Sequence, residues 1–363
     1  MENLPVPFDR RTWQEARALH AAGWEVTVIC PLTAMHPERE QVLDGITVLR
    51  HPLPLEASGR AGFLLEYPAA LFHQARLALR VFRRRRFHVV HACNPPDLMF
   101  LVALLFRPFG VRFVYDQHDL SPELFVAKFG RGGFGLSVTK LFERLTYAAA
   151  DHVIVANERF RELAGPRNGT PDDRITVVRS VPRASVLGGA TPAPGLRREG
   201  RPLIGYVGVI GEQDGVEGLV EALALLRDRH GFKDFDCVIV GDGSARRAVE
   251  ARARALGLDE HVTFTGYLTG EAFRQHLAAF EIGVVPDPLN PYTDTITMNK
   301  VFEYLQLGLP IVCHRLAETV ALAGPAALVT PTPDPSGLAE ALARLAADPA
   351  ERARLGAAAV DQA

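Results

Sequence analysis

Between Thr295 and Gly308 the chain reads TITMNKVFEYLQLG, a stretch with an ammonium and a carboxylate three residues apart, Lys300 and Glu303. The pattern predicts a short helix: Thr295 or Thr297 can cap its first turn, Gly308 can end its last, and Pro310 blocks continuation before the apolar strand Ile311 to Cys313. Met298, Phe302 and Leu305 recur at helical spacing as a core stripe, which leaves Lys300, Glu303 and Tyr304 on a neighbouring face. Free backbone N–H groups and the helix dipole suit an anion at that amino-terminal end, beside Asn299 and Lys300. A carboxylate one turn deeper can accept two hydroxyl hydrogen bonds, as from a ribose. For an arbitrary helix the same pair is an exposed ion pair worth roughly a few tenths of a kcal/mol.

A second constellation lies in YDQHDLSPE, where Asp116, His118 and Asp119 follow the apolar run Val111 to Gln117 and Ser121-Pro122 opens the next helix. Open α/β sheets place ligands where parallel strands end, so an imidazole between two carboxylates is positioned for proton transfer or hydroxyl recognition there. A lone histidine at such a turn is otherwise structural. Asp116 or Asp119 can position an acceptor hydroxyl.

The elements that must hold these groups alternate between strand and helix. Helix Asp9 to Ala22 and strand Glu25 to Cys30 come first, with nothing but ENLPVPF ahead of them, whereas a doubly wound domain normally starts on a strand. The amino terminus is therefore expected to be truncated, without its first strand. Strand Ile46 to Pro52 follows, then a long helix from Gly62 to about Arg83 that contains Pro68 and ends in Arg83 to Arg86 between Phe82 and Phe87. That basic run suits a solvated helix terminus or anionic lipid headgroups. Strands Phe87 to Cys93, Val111 to Gln117, His152 to Asn157 and Ile175 to Ser180 complete the first half. The Gly, Pro and Ala-rich SVLGGATPAPGLRREGR predicts a linker over 185–201 between domains 1–184 and 202–363. The second half repeats the alternation, predicting a mostly parallel sheet covered by helices on both faces.

Composition narrows the class. With 363 residues, 48% hydrophobic and 23% charged, the chain is long enough for two cores, and a net charge of −2 argues against nucleic acid as a partner. Cys30, Cys93, Cys237 and Cys313 are far apart and lack paired metal-ligand spacing, so they read as reduced, buried thiols. No spanning segment or signal peptide is evident, which leads us to expect a cytoplasmic protein.

Taken together, HACNPPDLMF, YDQHDLSPE, GYVGVIGEQDGVEGLVEAL, VGDGSARR, VTFTGYLTGE and MNKVFEYLQLGLPIVC resemble glycosyltransferase family 4 over almost the whole chain. The resemblance implies the GT-B architecture, an α/β fold of two Rossmann-like domains facing across a cleft. It also implies retaining transfer from a nucleotide-diphosphate sugar to a glycan or lipid-linked acceptor, as in cell-surface polysaccharide synthesis, with neither metal nor other cofactor. Such a lipid-linked acceptor would bring the protein into peripheral contact with the inner face of the membrane. By position, Glu303 resembles the family's ribose-binding glutamate, His118 the amino-domain histidine that reaches the donor sugar, and Tyr267 and Leu268 the residues whose backbone meets the base. Glu318 matches a glutamate near the site. Three positions depart from the pattern: Thr295 stands where the first glutamate of the pair belongs, and Val209 and Asp214 stand after Gly208 where many members carry Arg and Lys. With those two charges missing, Lys300 and its helix N–H groups are the nearest sequence candidates to offset a departing diphosphate. A GT-B sugar-nucleotide epimerase and a non-catalytic nucleotide-sugar-binding protein are the rival readings.

Overall fold

A computed structural model of the chain describes residues 5–33, 36–52, 60–130, 132–181, 187 and 189–363, with the side chains of 60–67 and 128 excepted. Residues 2–4 of the expected amino-terminal approach, and 185, 186 and 188 of the expected linker, lie outside the described residues. The chain divides into two compact units, Met1–Ser180 and Val181–Ala363.

Among the described residues of the first unit, seven strands form two sheets. β1 (Thr27–Pro31), β2 (Glu40–Leu43) and β3 (Ile46–His51) run in the order β1-β3-β2, and β4 (Val89–Cys93), β5 (Arg112–Gln117), β6 (His152–Val155) and β7 (Ile175–Val177) form a parallel sheet in that order. β2 is antiparallel to β3 and was not expected from the sequence. Its signal was present, because Asp44-Gly45 lies between two apolar runs and both residues adopt the positive φ that a two-residue hairpin demands (49° and 81°). The helix Arg10–Ala21, capped by Asp9 through Thr12 N–H, packs Ala16 against Val28, Cys30, Ile46 and Val48. Its other edge reaches the second sheet, with Thr12 Oγ1 3.6 Å from Cys93 Sγ. One helix thus addresses both sheets.

The second unit is one six-stranded sheet, β10-β9-β8-β11-β12-β13, built from β8 (Leu203–Val207), β9 (Asp236–Val240), β10 (Val262–Gly266), β11 (Ile282–Val285), β12 (Ile311–Cys313) and β13 (Ala327–Val329). Every ladder is parallel. Its central strands are buried on both faces, as their near-continuous apolar sequences require: β8, β9 and β11 are wholly buried. Separate apolar clusters cover the two faces, one around Leu219, Leu223 and Leu342, the other around Phe273, Val301 and Leu305. The segment expected as a linker is docked on this unit. Leu187 is part of its core, Arg197 Nε donates to Ala279 O at 2.7 Å, and Arg198 and Arg201 both pair with Asp236. Three arginines anchored to backbone and carboxylate hold in place a stretch whose composition alone suggested freedom.

Candidate active site

The second unit's candidate site is built where β8, β9 and β11, three neighbours in the sheet, end. The turn after β8 is stitched to the turn after β9 by Gly208 N–H to Val240 O (3.0 Å), Ile210 N–H to Asp242 O (3.0 Å) and Ala245 N–H to Ile210 O (2.9 Å). A Cβ at Gly241 would stand 1.8 Å from Gly208 O, and one at Gly215 2.1 Å from Pro286 O. Glycine is required at both positions because backbone touches backbone there, and both have positive φ. Lys300 enters from the helix Asn299–Gln306. Its Nζ donates to Asp287 Oδ2 at 2.7 Å and lies 4.9 Å from the centroid of the Tyr206 ring. Its Cε would be 3.4 Å from a Cβ at Gly208, so the cation sits against the turn that follows β8. Lys300 and Asp287 are both buried, an ion pair removed from water and backed by an aromatic face.

Glu303, one turn further on, is 4% exposed. Tyr304 accounts for the helix's fixed seat: it is fully buried, its hydroxyl accepts from Val207 N–H at 3.2 Å, and it lies 3.3 Å from Gly205 O and Val284 O. The expected shared face of Lys300, Glu303 and Tyr304 is therefore corrected, since Tyr304 belongs to the core beneath the helix. The expected caps are corrected too. Met298 is the N-cap and offers no side-chain bond, because Thr297 Oγ1 donates to Glu318 Oε1 (2.8 Å) and Thr295 Oγ1 to Tyr292 O (2.8 Å). Thr297 thereby ties Glu318, in the first turn of the helix Ala317–Ala323, to the Lys300 helix. That second helix is capped by Asp294 Oδ1, which accepts from Ala317 N–H at 2.7 Å. Asn299 is exposed at the helix start, and Tyr267 (half exposed) and Leu268 follow β10. Asp214 accepts from Gly211 N–H at 2.8 Å, so the position where a lysine was expected instead closes its own turn, while Val209 stands exposed.

The first unit gathers charge around one carboxylate. Asp116, fully buried on β5, receives Arg11 NH2 at 2.7 Å on Oδ1, and on Oδ2 meets His118 Nε2 at 2.8 Å and His91 Nε2 at 3.4 Å. Register explains the gathering: β4 and β5 pair Cys93 with Asp116, and alternation puts His91 with Cys93, and Asp116 with His118, on one side. Asn94 shapes the turn, its Oδ1 accepting from His118 N–H (2.7 Å) and Asp119 N–H (3.2 Å) while its Nδ2 donates to Asp119 O (2.8 Å). Burial would raise the Asp116 pKa, but His118, His91 and Arg11 hold it well below the usual carboxylate range. Burial would lower His118, yet Cys93 and Asp116 raise it well above the usual histidine value. His91 is brought to about 9, its bond to Asp116 outweighing burial. Glu15 is pushed up to about 7 by burial and by the Asp116 charge. The imidazolium form of His118 is thus the favoured one at neutral pH, a donor for an anion or a hydroxyl.

The sequence singled out Asp116, His118 and Asp119 but missed Arg11, Glu15, His91, Cys93 and Asn94. The readable signal was two i,i+2 pairs, His91 with Cys93 and Asp116 with His118, on strands that the alternation already made neighbours. The reading of all four cysteines as free and buried agrees with the structure. Their lack of paired ligand spacing did not anticipate that Cys93 would join His91 and Asp116, with one ligand atom of each within 4.8 Å of the others. Ligands brought together across a ladder leave no spacing motif.

Residues 9–180 match the family described as "Glycosyl transferase 4-like domain", and residues 201–348 the one described as "Glycosyl transferases group 1". The chain belongs to the GT-B glycosyltransferases of family 4. This family 4 chain is 30% identical to 2-deoxystreptamine glucosyltransferase of Streptomyces kanamyceticus over 43% of its own length, and spans 39% of the length of that relative. Its fold is similar to that of sucrose-phosphate synthase from Thermosynechococcus elongatus, with a TM-score of 0.77 at 20% identity over 97% of this chain and 87% of that one. It is also similar to Anabaena HepE solved with UDP-glucose (TM-score 0.64, 16% identity, 92% and 85% covered). At such identities the likeness is one of fold.

Proposed function

We propose that this chain is a retaining glycosyltransferase that moves a sugar from a nucleotide-diphosphate donor to a glycan or lipid-linked acceptor, without a metal, in cell-surface polysaccharide synthesis. The observation that carries the reading is Lys300, a buried ammonium held by Asp287 against the glycine turn after β8, with the Glu303 carboxylate one helical turn away. A leaving diphosphate needs compensating charge in a site that excludes water, and a cation whose orientation is already fixed supplies it without reorganisation. Glu303 is assigned to the donor ribose. Asn299 and Gly208 are assigned to the phosphates, Tyr267 and Leu268 to the base, and Thr295 and Glu318 to the sugar end. His118, made a firm donor by Asp116, is assigned to the sugar being transferred, and Asp119 to the acceptor hydroxyl. The UDP-glucose complex of HepE supports a uridine nucleotide as the first donor to try. Transferase names among the relatives favour this reading over an epimerase or a non-catalytic binder.

Peripheral contact with an anionic membrane is part of the proposal. It is supported by Leu79 and Phe109, exposed apolar side chains near the basic end of the helix Arg60–Arg84, where the Phe109 ring packs on Phe82, and by the exposed Phe72 further back on that helix. No helix among the described residues is long and apolar enough to cross a membrane.

A thermal-shift panel of UDP-, GDP- and dTDP-sugars tests the donor assignment, since a ligand at about 100 times its Kd adds about 2.7 kcal/mol to stability. One nucleotide class should raise Tm, and Glu303→Ala should abolish that rise. No shift with any of them would sink the reading.

A further inference from the structure

Arg11, Glu15, His91 and Cys93 have no part in the transfer as proposed, yet among the described residues they gather tightly around Asp116. His91 Nε2 lies 3.4 Å, and Cys93 Sγ 3.8 Å, from the same atom, Asp116 Oδ2. In a tetrahedral zinc site, metal–ligand bonds of about 2.0–2.3 Å put neighbouring ligand atoms about 3.3–3.8 Å apart. The two contacts to Asp116 Oδ2 have that spacing without any ion, and all three ligand atoms lie within 4.8 Å of one another. The two oxygens of Asp116 serve different partners, because Arg11 NH2 makes its short bond to Oδ1 (2.7 Å) and Arg11 Nε only a longer contact (3.3 Å) to Oδ2. Glu15 stands beside these three: Oε2 lies 3.6 Å from His91 Nε2, Oε1 pairs with Arg11 Nε at 3.2 Å one helical turn away, and the carboxyl group also interacts with Asp116.

We infer that His91 Nε2, Cys93 Sγ and Asp116 Oδ2 form a zinc site, with the Glu15 carboxylate completing the coordination. A thiolate, an imidazole and two carboxylates suit Zn2+ over Mg2+ or Ca2+, which prefer oxygen alone. Binding releases both the Cys93 thiol proton and the proton on His91 Nε2, and the site spans β4, β5 and the first helix, so an ion there ties the three together. The consequence for chemistry is inhibition. His118 Nε2 shares Oδ2 with the two strand ligands at 2.8 Å, and a metal bonded to that oxygen draws off its electron density and weakens the bond that orients His118. The assignment of inhibition rests on His118 serving the transfer; the assignment of the metal site does not.

The test is a titration of the whole chain with Co2+, the spectroscopic stand-in for zinc, under reducing conditions. The expected result is one equivalent bound, with the intense near-ultraviolet band of thiolate-to-cobalt charge transfer and visible bands of tetrahedral intensity, both erased by one equivalent of Zn2+. Cys93→Ser should abolish the charge-transfer band, whereas Cys313→Ser should leave it unchanged. If Cys93→Ser does not fold, as judged by circular dichroism, His91→Ala decides, with binding at least tenfold weaker. Absence of the band in the wild type, or its persistence in Cys93→Ser, overturns the site. A Zn2+-bound enzyme with undiminished turnover would overturn the inhibition alone, and a chain that binds Co2+ yet never transfers sugar would count against the transferase reading and not the metal.

Discussion

Lys300 and Asp116 are both buried charges at the carboxyl ends of parallel strands, yet the two units hold them in opposite ways. Among the described residues the lysine has one charged partner, Asp287, one aromatic face and a turn of glycines against it, so its environment is made largely by backbone. The aspartate is ringed by Arg11, His91, His118 and Glu15, so its environment is made by other titratable side chains drawn from two strands and a helix. A cation with a single anionic partner can exchange part of that interaction for an incoming diphosphate. A carboxylate shared by several donors is a structural keystone first, and it sets the protonation of its neighbours.

That contrast can be broken experimentally, beginning with the carboxylate. Asp116→Asn removes the shorter of Arg11's two anionic contacts and the acceptor of His91 and His118, and should cost about 3–5 kcal/mol of unfolding free energy, measured by denaturant titration; a loss under about 1 kcal/mol would mean that Glu15 takes over the role. Lys300→Ala should lower kcat/KM by two to three orders of magnitude, on the roughly 3 kcal/mol scale of a lost oxyanion donor. If the loss appears only in KM, Lys300 binds the ground state and does not favour the transition state.

A further buried acid sharpens the comparison through pH. Glu143 is 1% exposed, accepts from Gln117 Nε2 (3.0 Å) and Arg167 NH2 (2.6 Å), and is pushed by burial from 4.5 to about 7 despite that arginine. The native state therefore holds a proton that the unfolded chain has released, so the contribution is complete below about 4.5 and is lost as pH rises to about 7. Glu143→Gln should flatten the stability profile across that window, by on the order of 3 kcal/mol at most. Arg85 makes the smallest change: its pair with Glu25 at 2.6 Å joins two exposed side chains, so Arg85→Ala should shift stability by less than about 0.5 kcal/mol.

Much of the second unit's candidate site was legible because its parts are local. The helix bearing Lys300 and Glu303 is marked by its own apolar period, by Gly308 at φ 64° after its last turn and by Pro310, and GDGS lies directly behind an apolar strand. The threonine caps were misjudged because a hydroxyl near a helix start has several acceptors within reach, and Glu318 and Tyr292 won. The linker was misjudged for a similar reason. Gly and Pro content reports conformational freedom in isolation, while Arg197, Arg198 and Arg201 found partners as far as 83 residues away.

From order and pattern alone, the chain determined two alternating α/β halves, strands apolar enough to be buried on both faces, and a charged helix start in the second half, because periodicity and turn chemistry act between near neighbours. Only tertiary structure decided that Asp287 would take Lys300, that Arg11 would reach Asp116 across 105 positions, and that Cys93 and His91 would converge on the same oxygen. Those choices depend on which strands lie side by side and in what register, and a side chain's neighbours across a parallel ladder leave no trace in the spacing of the sequence.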